Sequence, residues 1–179
     1  MRLLGLLLFF VVFNSCITFS QKSFIESSGD ILQIGIPAIA LGSTFFLKQS
    51  DKPHWQFAKA MGTSFVITHS LKRILNKKRP NGGNHAFPSG HTSAAFTGAA
   101  FIHKRYGWKY GIPAYLLASY VGYSRIYADK HDIYDVIAGA GLGIISSFIF
   151  TKSYLENRKI TFGGTFTKNR ILISFNYHL

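Results

Sequence analysis

Five apolar stretches constrain this 179-residue chain more than any other feature: about 31–47, 55–71, 92–103, 111–122 and 133–150. Each is closed by polar or Gly/Pro punctuation such as KQSDKPH and HKRYGWKYG. They are long, lack strict alternation and are rich in Ala, Leu and Gly, so they read as helices. A bilayer crossing takes about 20 apolar residues. The first, second and last stretches approach this, and the middle two do so only with their flanks. Small residues in TSAAFTGAAF and IAGAGLG suit close helix packing, in a bilayer or in a soluble bundle. The expectation is an all-α helical bundle of five core helices in one domain, embedded in a membrane, with no internal repeat or low-complexity tract.

The two ends differ from this pattern. Residues 1–20 have a short basic end, an apolar run from Leu3 to Phe13, and small residues Thr18 and Ser20 before Gln21. They read as a secretory signal peptide, or as a first transmembrane helix if Ile17 and Phe19 join the run. The helical domain then occupies 21–155. The tail at 160–179, ITFGGTFTKNRILISFNYHL, alternates with Ile171, Ile173, Phe175, Tyr177 and Leu179 on one face. It predicts a β-hairpin turning near Lys168–Asn169. A lone hairpin is marginal in water, so it is expected to pack on the helices or on lipid. Cys16 is the only cysteine, which excludes an intrachain disulfide and a cysteine metal cluster.

Only 15% of residues are charged, yet 20 Lys and Arg face 7 Asp and Glu, a formal net charge of +13. That excess favours anionic partners: nucleic acid, a phospholipid surface or a phosphorylated substrate. No basic helix face or RNA-binding signature is present, which argues against nucleic acid.

Three clusters sit at the ends of the apolar stretches. KRILNKKRP carries Lys72 and Arg79; FPSGHTS carries Ser89, Gly90 and His91; SRIYADKHDIYD carries Arg125, His131 and Asp135. Alone, each has an ordinary explanation: a solvated basic loop, a helix N-cap, or a local i,i+4 pair worth a few tenths of a kcal/mol. Together they describe an anion site. A helix start at Ser-Gly offers unpaired N–H groups and a positive dipole end, and glycine lets an oxyanion approach the backbone closely. Lys72, Arg79 and Arg125 add positive charge, the arginines in bidentate form. Asp135, one helical turn from His131, can hold one imidazole nitrogen and leave the other as a nucleophile. His91 is then available as a general acid for the departing oxygen. Such a site performs phosphoryl transfer without a metal.

The same residues carry a family resemblance. K-x6-RP, PSGH and SR-x5-H-x3-D occur in order across residues 72 to 135. The chain resembles the type 2 phosphatidic acid phosphatases (PAP2), a superfamily that also includes class A acid phosphatases and vanadium haloperoxidases. The resemblance implies that His131 attacks phosphorus and becomes a phosphohistidine, that Asp135 orients it, and that His91 protonates the leaving group. It implies that Lys72, Arg79, Ser89, Gly90 and Arg125 hold the phosphate oxygens, and that hydrolysis needs no metal or cofactor. His54, His69, His85 and His103 fall outside the motifs.

The expected activity is a phosphatase releasing phosphate from a lipid mono- or diphosphate, with phosphatidate, phosphatidylglycerol phosphate, a polyprenyl diphosphate such as undecaprenyl diphosphate, or a lipid A phosphate as substrate. Counting helices from either fate of the leader places all three motifs outside the cytoplasm, in the cell envelope and facing the periplasm. The competing readings are a soluble periplasmic acid phosphatase, a vanadate-dependent haloperoxidase, and a non-enzymatic lipid-binding protein with a relic site.

Overall fold

The computed structural model describes the backbone of residues 2–46, 51–154, 160–167 and 170–177, and side chains within 22–46 and 51–154. Five helices follow in order: α1 Arg2–Phe46, α2 Pro53–Leu75, α3 Gly90–Tyr106, α4 Trp108–Tyr127 and α5 Ile133–Phe150. Strands β1 Ile160–Thr167 and β2 Arg170–Tyr177 pair antiparallel, with Ile160 opposite Tyr177 and Thr167 opposite Arg170. The expected hairpin is present; its turn residues Lys168 and Asn169, and Leu179, lie outside the described residues.

α3 is the axis of the bundle and touches each of the other four helices. Its composition makes that possible. Ala95, Ala99, Ala100 and Phe101 are completely buried, and Thr92, Thr97 and Gly98 join them. Small side chains let neighbouring backbones approach closely. Gly139 on α5 marks one close approach, because a Cβ there would stand 2.5 Å from the carbonyl oxygen of Ser89. Ile36 and Ala40 of α1, Phe57 of α2, and Ala118 and Val121 of α4 close the core. Phe57 meets Phe101 edge-on at 5.1 Å.

Large apolar side chains lie mainly on the outside. Ile31, Ile34, Phe45, Val66, Leu116, Ile137, Ile145 and Ile149 are exposed around the bundle. Among the described residues two helical segments are long and apolar enough to cross a membrane, Lys22–Phe46 and Ile133–Phe150. The second stretch, which the sequence places near that length, does not join them: α2 carries Lys59, His69, Lys72 and Arg73 along its 23 residues.

The first helix also departs from expectation. The sequence separates a leader at 1–20 from an apolar stretch at 31–47, but α1 runs through both without a break. In the intervening QKSFIESSGD, several polar side chains have partners across the bundle. Lys22 pairs with Asp129 at 2.6 Å, Glu26 with Lys130, and Ser28 with Tyr120 at 2.8 Å.

Candidate active site

One end of the bundle collects the chemistry. The last turn of α2 supplies Lys72, the loop after it Arg79, the start of α3 Gly90 and His91, the last turn of α4 Arg125, and the segment before α5 His131. All six line one cavity of about 470 Å³, together with Gln33, Phe65, His69, Ala94 and Lys130. Backbone bonds fix the loops around it. Asn81 N–H donates to the Asp129 carbonyl at 3.0 Å, and Ser89 N–H donates to the Asp135 carbonyl at 2.9 Å. The second bond ties the starts of α3 and α5 together.

His131 is almost fully buried, and its Nδ1 lies 3.3 Å from Asp135 Oδ2. That contact directs Nε2 away from the carboxylate. Asp135 is completely buried and has further partners. Its Oδ1 accepts from Lys77 Nζ at 2.8 Å, and its Oδ2 accepts from Asp132 N–H at 3.2 Å. The latter bond and Asp135 N–H to Asp132 Oδ1 form a capping box at the start of α5. Burial, followed by the charge of Lys72, pushes the His131 imidazole well below its ordinary value despite Asp135. A neutral imidazole is the form that attacks phosphorus.

The cationic side chains are held rather than loose. Lys72 lays its Cε 3.6 Å from where a Gly90 Cβ would be, and its Nζ donates to the His85 carbonyl at 2.9 Å. Arg79 Nε donates to the Asn84 carbonyl at 3.1 Å. Arg125 is fully buried, with Nε donating to Ser124 Oγ at 3.1 Å and Nη2 to the Glu26 carbonyl at 2.7 Å.

Of the eight residues expected from sequence, six line the cavity and Asp135 stands directly behind His131. Ser89 does neither. It is the buried N-cap of α3, its Oγ accepting from Thr92 Oγ1 at 2.9 Å and, more weakly, from Thr92 N–H at 3.4 Å. The ordinary explanation for PSGH is therefore the one this geometry shows at Ser89.

Sequence reasoning missed other residues. Lys77, in the same basic run as Arg79, bonds both Asp132 and Asp135. His69, set outside the motifs, lines the cavity with its ring 4.0 Å from that of Phe65. On α1, Asp30 Oδ1 accepts from His91 Nε2 at 2.9 Å and from Arg125 Nη1 at 2.7 Å. The signal for this last group was available: Lys22, Glu26 and Asp30 recur every four residues and form one polar stripe on α1.

A helical bundle with a cationic cup, a helix start and a buried His–Asp pair at one end defines a class of anion-handling protein. The sequence matches the model of the PAP2 superfamily over residues 82–159. The chain is also 38% identical over 146 residues to the lipid A 4′-phosphatase of Helicobacter pylori strain J99, covering 75% of this chain and 73% of that protein. It belongs to the PAP2 superfamily.

Particular relatives narrow the likeness. The lipid A 1-phosphatase of Helicobacter pylori strain 26695 is 35% identical over 125 residues, which cover 65% of this chain. The chain spans 66% of that relative's length, just under two thirds. Among solved structures, Aquifex aeolicus LpxE superimposes with a TM-score of 0.63 at 26% identity, covering 72% of this chain and 84% of that one.

Proposed function

We propose that this chain is an integral-membrane phosphatase that removes phosphate from a phosphorylated lipid through a phosphohistidine, with its site facing the periplasm. The observation that carries this reading is the convergence of Lys72, Arg79, Gly90, His91, Arg125 and His131 on one cavity, with Asp135 behind His131.

In this reading Lys72, Arg79, Arg125 and the α3 N-terminus hold the phosphoryl oxygens and stabilise the charge that builds during transfer. His131 Nε2 attacks phosphorus while Asp135 keeps the proton on Nδ1. The bond from phosphorus to the lipid oxygen breaks, its electron pair goes to that oxygen, and His91 supplies the proton. Water then attacks the phosphohistidine and gives a proton to His91, and the P–N bond breaks to release phosphate and restore neutral His131. No step requires a metal. The apolar exterior and two membrane-length helices favour a lipid over a small soluble ester. The lipid A phosphatase relatives make a lipid A phosphate the first substrate to test.

The test is phosphate release by purified protein from lipid A, phosphatidate, phosphatidylglycerol phosphate, a polyprenyl diphosphate and an aryl phosphate. We expect turnover of at least one lipid, undiminished by chelator, and a loss of roughly 10³-fold or more in His131→Ala. Full turnover by that variant would remove His131 as nucleophile, and loss on chelation would overturn the metal-free step.

A further inference from the structure

Asp30 stands on α1, sixty-one residues from His91 in the chain, yet its Oδ1 is shared between His91 Nε2 and Arg125 Nη1. Its placement is built into the backbone. A Cβ on Gly29 would stand 2.0 Å from Ser124 Oγ and 2.9 Å from Arg125 Nη2, so α1 reaches Arg125 only because residue 29 has no side chain. The Glu26 carbonyl takes the other Arg125 nitrogen at 2.7 Å, which fixes the same turn of α1 from a second direction. Asp30 is absent from the cavity lining, whereas both of its partners are in it. The carboxylate therefore bears on them from beside the cavity.

His91 needs such a partner. Arg125 and Lys130 face it, and Lys72, Arg79, His69 and His131 line the same cavity. An imidazole beside Arg125 and Lys130 loses its proton more readily unless an anion compensates. Glu26 is already paired with Lys130, Asp132 with Lys77, and Asp135 with Lys77 and His131. Burial and then Arg125 lower the proton affinity of His91 below its ordinary value, and Asp30 opposes that fall without reversing it.

We propose that Asp30 is a positioning residue for the acid step: it holds His91 by Nε2 and favours the protonated ring, leaving Nδ1 to deliver a proton to the leaving oxygen. The site then contains two imidazole–carboxylate pairs set to opposite tasks. His131–Asp135 is buried against cations and keeps a neutral nucleophile. His91–Asp30 is partly exposed and sets a carboxylate against the cations that drive the proton off His91. This rests on the proposed reading of His91 as the acid.

The test uses full-length protein in detergent micelles with two substrates, an alkyl phosphate lipid and p-nitrophenyl phosphate, whose aryl oxygen leaves without a proton. Asp30→Asn should lower kcat on the lipid about 10²-fold and on the aryl ester only a few-fold. It should also move the alkaline limb of the lipid pH profile to lower pH, because a His91 without its anion releases its proton sooner. Asp30→Glu should recover part of both effects. Should the Asn variant not fold by its melting curve, Asp30→Glu is read in the same way, with a larger loss on the lipid than on the aryl ester. Equal losses on both substrates with an unmoved limb would make Asp30 a structural anchor for Arg125 and overturn the proposal, as would no loss at all. His91→Ala tests the underlying reading separately: if it shows no preference for the aryl substrate, His91 is not the acid. If it does, Asp30→Asn should add little to it.

Discussion

At His131 a nearly buried imidazole touches one carboxylate and faces two cations, Lys72 and Arg79. Burial leads in holding its proton affinity below the ordinary value, so the ring remains neutral down to a lower pH than a free histidine. The neutral form is lost only as pH falls through that lowered value. An NMR titration of the substrate-free protein, with His131→Ala to assign the signal, should therefore place this group below about 6.5. A value at or above that would mean the cations and burial do not act on it as the geometry requires. The residues that converge on the cavity were largely legible in the linear motifs, because three motifs that are ordinary alone describe one anion site together. Ser89 was not legible in the same way: its hydroxyl serves equally as a cap or a phosphate ligand, and only the Thr92 contacts show which bond it makes here. Asp30 and Lys77 escaped because their partners lie far along the chain.

Helix ends position this site, so the way α3 and α5 cross decides where its groups stand. The Ser89 N–H to Asp135 carbonyl bond joins the two starts, and Gly139 lets the backbones meet there. Gly139→Ala would drive a Cβ against a backbone oxygen that cannot rotate away. We expect a loss of about 1–3 kcal/mol, the usual cost of overpacking, read as a lower melting temperature in detergent with reduced turnover. Gly141, on the same helix, has nothing within 4 Å of its added Cβ. Gly141→Ala should be neutral or stabilise by about 0.5–1 kcal/mol, since glycine weakens a helix interior. Equal behaviour of the two variants would show that the α3–α5 approach is looser than described. Apolar length and composition made all five helices readable, but not the extent of α1. The polar stretch at 21–30 looks like a boundary until Asp129, Lys130, Tyr120 and Arg125 are seen to satisfy it.

On the scale of the whole molecule, a core rich in alanine, glycine, serine and threonine is surrounded by exposed isoleucine, leucine and phenylalanine. Water would oppose that distribution, at about 25 cal/mol for each Å² of apolar surface left exposed, whereas lipid tails accept it. The protein should therefore stay with membranes through an alkaline carbonate wash and leave them only with detergent; release into the wash would argue for a water-soluble bundle. The sequence by itself determined the helical class, the C-terminal hairpin and the residue types of an anion site, since these follow from apolar length and composition, from local alternation and from short linear motifs. Only the tertiary structure decided which of those groups face the cavity, that Ser89 caps a helix, and that a carboxylate from α1 reaches both His91 and Arg125. The physical reason is that such pairings span 61 and 95 residues and depend on where helices cross, which no local pattern encodes.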